Sequence, residues 1–125
     1  MKRTRLMTGY ERGDVVLVTF VFSDESGERR RPAVIVSSEA YSRSREKAII
    51  AAITSRSDRL LLGDHLIGDW RGAGLLFASV ATGIVRTIKQ GMIARKLGTM
   101  PRADMKAIGK LNTCIVSASS DQNSL

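Results

Sequence analysis

Two short stretches concentrate side chains able to grip an anion and stabilise charge on it. The first is Gly27-Glu28-Arg29-Arg30-Arg31-Pro32, three guanidiniums ending against a proline. A guanidinium offers several N–H donors in a planar fork that matches phosphate oxygens. Pro32 restricts Arg31 to extended backbone, which partly fixes the direction of its side chain. The second is Ile53-Thr54-Ser55-Arg56-Ser57, hydroxyls and an Arg directly after an apolar run. Thr54 should therefore sit where a buried strand emerges, and hydroxyls with an Arg at a strand end suit an anionic ligand. Taken alone, the first stretch reads equally as a solvated charge run and the second as an ordinary polar loop.

The rest of the composition narrows the chemistry. Cys114 is the only cysteine and His65 the only histidine. One thiol forms neither an internal disulfide nor a multi-cysteine zinc site, and one imidazole excludes clustered His ligation. Catalysis must then be built from Arg, Lys, Asp, Glu, Ser, Thr and Tyr, with no cofactor expected. Twenty Lys and Arg stand against twelve Asp and Glu, a formal net charge of +8. That field attracts polyanions, nucleic acid first. A membrane surface fits less well, because the basic residues are scattered rather than aligned on one amphipathic helix. No apolar run approaches the roughly 18–20 residues of a membrane helix. No apolar core of signal-peptide length follows Lys2, Arg3 and Arg5, so the expected location is the cytoplasm.

The elements that must position these residues read mostly as strands. A basic, loose lead-in over residues 1–10 precedes a strand from about Asp14 to Phe22, whose apolar run implies cover on both faces. Ser23–Gly27 has turn composition, and Ala33–Ser37 is a second strand, making a long-looped hairpin. Ser38–Lys47 reads as a loop or single helical turn. A buried strand follows at Ala48–Ile53, with short candidates at Leu60–Leu62 and His65–Ile67. Asp69 can cap a brief turn carrying Trp70 inward. Further strands are expected at Leu76–Thr82, Ile84–Ile88 and Ala94–Thr99. Pro101 suits the first position of a helix, and Met105, Ile108, Leu111 and Ile115 recur at spacings of three and four. That predicts a terminal helix to about Ile115, with Cys114 buried on it, and a loose polar tail over 117–125. Patterning alone stops at a small barrel or bent sheet with one late helix.

The ordered series Gly13-Asp14-Val15-Val16-Leu17-Val18, Arg31-Pro32-Ala33-Val34-Ile35-Val36-Ser37 and Ala51-Ala52-Ile53-Thr54-Ser55 resembles the MazF/PemK toxins of type II toxin–antitoxin systems. Ser79-Val80, Val85-Arg86-Thr87-Ile88 and Lys96-Leu97-Gly98 continue the likeness into the terminal helix. The resemblance implies a mostly β, SH3-like barrel with a C-terminal α-helix over residues 11–116. It implies a homodimer and a partner antitoxin that blocks the RNA groove with an extended acidic segment. The implied activity is metal-independent, sequence-selective cleavage of single-stranded RNA, in which a ribose 2′-OH attacks the adjacent phosphate. The family's catalytic pair falls on Arg31 and Thr54. Glu28, Arg29, Arg30, Ser55 and Arg56 then become the expected RNA-binding residues, with Glu28 also a candidate proton acceptor.

Some positions depart from the family pattern. Ala81 and Gly83 stand where some members carry an Arg and an Asp, and Ala78 where many have a Pro. His65 and Trp70 read mainly as structural, and Phe20 as a core or interface residue. Two other functions share this scaffold: a non-catalytic nucleic-acid-binding module, and a gyrase-poisoning toxin, which commonly uses a terminal Trp that this chain lacks.

Overall fold

Gly13 adopts φ +94°, a left-handed conformation that side chains oppose, and so turns the chain into the first strand. Its N–H donates to Ile35 and its carbonyl accepts from Met100, each at 2.8 Å. Asp14 fixes the same corner: its buried carboxylate accepts from the Glu11 N–H at 2.9 Å and pairs with Lys96 at 3.1 Å. The Gly-Asp signature is thus a structural joint between three segments of chain.

The computed structural model describes residues 9–21, 27–56 and 58–123. In order these form β1 (Asp14–Val21), β2 (Glu28–Ile35), α1 (Glu39–Arg45), β3 (Lys47–Thr54), β4 (His65–Leu66), β5 (Val80–Lys89), a 3-10 turn (Gln90–Met92), β6 (Ile93–Thr99) and α2 (Arg102–Asn123). Residues 1–8 of the lead-in expected over 1–10, Phe22 and residues 23–26 of the expected turn, Ser57 and the last two residues lie outside the described part.

The strands make one sheet in the order β4-β5-β3-β2-β1-β6, every neighbour pair antiparallel. This corrects the expected SH3-like barrel: the sheet is open. Closure needs the first and last strands of the sheet to hydrogen-bond. Here β4 is two residues long and pairs with β5 alone, and β6 pairs with β1 alone. The backbone of Ala73 and Gly74, in the turn-rich segment 68–74, comes instead against Leu97 and Gly98 of β6, too close to admit a side chain at either glycine. Non-strand backbone makes that approach, and no ladder joins the two ends.

Both faces of the central strands are covered, which explains the unbroken apolar run of β1. One face buries Val15, Val34, Ala51 and Ile53 with Met105 and Ile108 of α2 and with Trp70. The other buries Val16, Val18, Ala33, Ile35, Ile50 and Ile88. Each fully buried Val or Ile contributes about 1.5–3 kcal/mol.

Several boundaries differ from expectation. β2 starts at Glu28 rather than Ala33, because Arg29–Arg31 pair with β1 and Pro32 lies beyond the last rung with β3, where a missing N–H breaks no ladder bond on that side. The 38–47 segment is a two-turn helix: the Ser38 side chain accepts from the Tyr41 N–H at 3.1 Å, and Glu46 ends it in a left-handed conformation. Leu60–Leu62 form no strand; Asp64 accepts from the Leu61 N–H at 2.9 Å and closes a turn there. Helix α2 continues past Ile115 to Asn123, with no Gly or Pro after Gly109 to stop it, and Cys114 on it is exposed.

The two strands expected on either side of Gly83 are instead one long strand with a bulge at that residue. Ala51 pairs with Val85 and Ile53 with Ala81, so two steps along β3 span four along β5. The Thr82 hydroxyl donates to the Ala52 carbonyl at 2.8 Å, the Gly83 N–H to Asp64 at 2.9 Å, and the Ile84 N–H to the Thr82 hydroxyl at 3.2 Å. A Cβ at Gly83 would stand 2.9 Å from the Leu62 carbonyl oxygen, so glycine is required for the approach.

Candidate functional site

The register between β2 and β3 brings the two sequence signals together. Rungs run Ile35 to Ile50, Val34 to Ala51 and Ala33 to Ala52, and then stop. One step back on β2 accompanies one step forward on β3, so two further steps set Arg31 opposite Thr54. The ladder itself does not reach that far. Arg31, Pro32, Ile53, Thr54 and Arg56 form a ridge that borders two clefts.

The first cleft, about 540 Å³, is closed by Leu75, Leu76, Phe77 and Arg95. The second, about 430 Å³, is closed by Phe20, Ile84 and Arg86. In the second, the Arg86 guanidinium lies 4.9 Å from the centre of the Phe20 ring, a cation–π contact. The bulge at 82–84 lies on this side of the ridge, and its Thr82 and Ile84 line the cleft.

Thr54 accepts a hydrogen bond from the Arg56 N–H at 3.2 Å. Its hydroxyl keeps its own O–H free to turn toward a ligand as a donor. Arg31, Ser55 and Arg56 are exposed. Among the described residues no carboxylate lies within ion-pair distance of Arg31, Arg56, Arg86 or Arg95. Among the described residues, the ridge and its walls form a concave surface of positive charge with no paired carboxylate.

Glu28, Arg29 and Arg30 continue along β2 from the ridge, all exposed. The unbroken register with β1 puts Arg29 on the Arg31 face, and Glu28 and Arg30 on the opposite face. Glu28 therefore does not share a face with Arg31. Four residues of the site escaped the sequence reading. Arg86 and Arg95 lie in β5 and β6, and only the fold brings each into a cleft with Thr54. Leu76 and Phe77 read as strand, yet they form an exposed loop.

A second basic cleft, about 450 Å³, lies at the other end of β3 among Arg43, Arg45, Lys47 and Lys89. An eight-residue strand puts it about 23 Å from Thr54. Glu46 lines it, and Arg43 is paired with Glu39 at 3.0 Å, so its charge is partly compensated.

His65 lines neither ridge cleft. Its Nε2 lies 2.7 Å from Oδ1 of Asp104, near the start of α2. The same carboxylate accepts from the Gly68 N–H at 2.8 Å and the Asp69 N–H at 3.2 Å. Burial pushes the Asp104 carboxyl up, but these hydrogen bonds and the His65 charge outweigh it and hold the carboxyl below its ordinary value. Ala81 is 1% exposed in the core and Gly83 sits in the bulge, so neither position presents a charged group to the clefts. Among the described residues no group of three or more His, Cys, Asp or Glu side chains is placed to hold a metal ion.

A profile of the PemK-like, MazF-like toxins of type II toxin–antitoxin systems matches residues 11–112, which include every ridge and cleft residue. The chain belongs to this family. Among solved structures it is similar to an endoribonuclease in complex with its cognate antitoxin from a mycobacterial species, at 19% identity and a TM-score of 0.67, covering 86% of this chain and 95% of that one. It is similar to the MazE–MazF complex of Deinococcus radiodurans at 19% identity and TM-score 0.69, covering 85% and 95%. A MazF toxin of Mycobacterium tuberculosis gives 18% identity and TM-score 0.63, covering 79% and 91%. At these identities the structures establish the fold of the MazF-like chain. No curated protein sequence is significantly similar.

Proposed function

We propose that this MazF/PemK-family chain is a metal-independent endoribonuclease toxin that cleaves single-stranded RNA at its β2–β3 ridge. The observation that carries this reading is that Arg31 and Thr54, beyond the last β2–β3 rung, line the same two clefts, with cations on both sides and no carboxylate paired to them among the described residues.

In the proposed reaction a ribose 2′-oxygen attacks the adjacent phosphorus and the bond to the 5′-oxygen breaks. The products are a 2′,3′-cyclic phosphate and a 5′-OH. The nucleophile belongs to the substrate, which selects RNA over DNA. Arg31 neutralises the charge that builds on the phosphorane, and Thr54 donates its hydroxyl proton to the same oxygens. Each preorganised donor of this kind is worth about a hundredfold or more in rate. Arg31 does not act as base, because a guanidinium stays protonated at any working pH. Arg29, Ser55 and Arg56 hold flanking phosphates; Glu28 and Arg30 meet RNA passing round the open edge of β2.

The same charge suits an extended acidic segment of a partner antitoxin; a cognate antitoxin is present in one solved structure similar to this chain. A homodimer is favoured by the exposed Leu61, Leu62, Leu66 and Ile84 around β4 and the bulge. With an RNA substrate, the cytoplasm is the proposed site of action. Among the described residues no helix is long and apolar enough to cross a membrane.

A second reading, an RNA-binding module that does not cut, is favoured by the lack of an imidazole or carboxylate in the clefts among the described residues. One experiment separates the two: the purified protein, with EDTA present, acting on a long single-stranded RNA. The nuclease reading expects 5′-OH fragments, and loss of cutting when the cleaved position carries a 2′-deoxyribose. RNA bound but uncut leaves the binding module. Cutting that needs a divalent ion, or persists at the 2′-deoxy position, contradicts the mechanism.

A further inference from the structure

The segment between Gly74 and Val80 pairs an exposed surface with a fixed backbone. Leu76 is 82% exposed and Phe77 66% exposed, yet the chain on either side is held. The Leu75 N–H donates to the Trp70 carbonyl at 3.0 Å, and Gly74 packs against Leu97. Buried Ser79 donates its hydroxyl to the Phe77 carbonyl at 2.7 Å, and its own carbonyl accepts from the Ile67 N–H at 3.0 Å. A large ring is thus displayed to water from an anchored loop, in a cleft that also contains Arg31, Thr54 and Arg95.

The other aromatic in the ridge clefts, Phe20, has the Arg86 guanidinium over its ring, whereas no cation lies over Phe77 among the described residues. An exposed aromatic face beside phosphate-binding side chains fits a planar group joined to a phosphate by a short, flexible link. A nucleotide has that construction.

We propose that Phe77, backed by Leu76, is the stacking platform for the nucleobase flanking the phosphate held by Arg31 and Thr54. The proposal rests on the RNA-cleaving reading above and adds a residue that sets affinity and position at one flank of the cut. Phe77 lies on the opposite side of the ridge from the cleft of Phe20 and Arg86, so the two nucleosides flanking the phosphate meet different walls. Stacking on an aromatic tolerates any base, so Phe77 contributes binding at that flank more than discrimination.

The test uses the full chain, a short RNA made uncleavable by a 2′-O-methyl group at the cut position, and matched versions with an abasic residue at either flank. Wild type should lose about tenfold in affinity when one particular flank is abasic. Phe77→Ala should lose about the same on the intact RNA and almost nothing more on that abasic RNA. Phe77→Trp should bind like wild type. In cleavage of the 2′-OH RNA, Phe77→Ala should raise KM more than it lowers kcat. Equal abasic penalties in wild type and Phe77→Ala overturn the proposal, as does unchanged affinity in Phe77→Ala. A shift of Phe77→Ala to a smaller species in sedimentation, with RNA affinity kept, overturns it in favour of contact with a second copy. Wild type that neither binds nor cuts RNA overturns the nuclease reading itself, a different failure.

Discussion

Two regions of this small sheet treat charge in opposite ways. Around Asp104 each carboxylate oxygen accepts hydrogen bonds, from the His65 ring and the N–H groups of Gly68 and Asp69. The result ties the start of α2 to β4 and the following turn. At the ridge, Arg31, Arg56 and Arg95 have no carboxylate within reach among the described residues, and the Thr54 hydroxyl accepts from the Arg56 N–H. A fully satisfied cluster stabilises a fold. A concave cluster of uncompensated cations costs self-repulsion and is offset only when a polyanion arrives. On the proposed function the first region stabilises the fold and the second binds, although both include residues that could do acid–base or electrostatic chemistry.

The sharpest way to break this comparison is to remove one group from each region and read both activity and stability. Arg31→Ala should lower kcat/KM for RNA cleavage at least a hundredfold, about 2.7 kcal/mol of barrier, while its denaturation midpoint stays near wild type. Thr54→Val keeps the shape without the hydroxyl and should lose roughly thirtyfold, with a similarly small change in stability. Asp104→Ala should do the reverse. It strands two N–H groups and a ring nitrogen at a cost of about 2 kcal/mol in urea denaturation, with turnover per folded molecule kept.

The Asp104 region also carries a pH signature. Its carboxyl is held below the ordinary value in the fold, so its contribution is present above about pH 4 and is lost as pH falls through the lowered value. Asp104→Asn should flatten that acid limb of the stability profile, and an acid limb as steep as wild type's would contradict the assignment. Smallest of all, Lys96→Ala should cost below about 1 kcal/mol, because the lysine is half exposed and Asp14 keeps the Glu11 N–H.

How much of this was legible in the sequence depends on the range of the interactions involved. Arg31 and Thr54 could be singled out because the family resemblance falls on them and each has a local mark, a proline after Arg31 and the end of an apolar run before Thr54. The Gly13-Asp14 and Ser37 positions also carried local signatures, and each proved to be a joint between segments. The open sheet was not readable, because closure depends on whether two distant edges pair. Two residues at β4 leave too short an edge to do so. Gly83 looked like a break between two strands because a bulge and a turn both place a glycine between apolar runs. Only the register with β3 and the proximity of Leu62 distinguish them. Arg86, Arg95 and Phe77 come to the clefts through long-range pairing and loop packing, for which one sequence offers no local mark.

The most direct test of the account is the structure of this chain bound to a short single-stranded RNA carrying a 2′-O-methyl group at the cut position. The account predicts a phosphate bridging the Arg31 guanidinium and the Thr54 hydroxyl, where the β2–β3 ladder stops. RNA seated at the opposite end of β3, against Arg45, Lys47 and Lys89 with the ridge unoccupied, would contradict it.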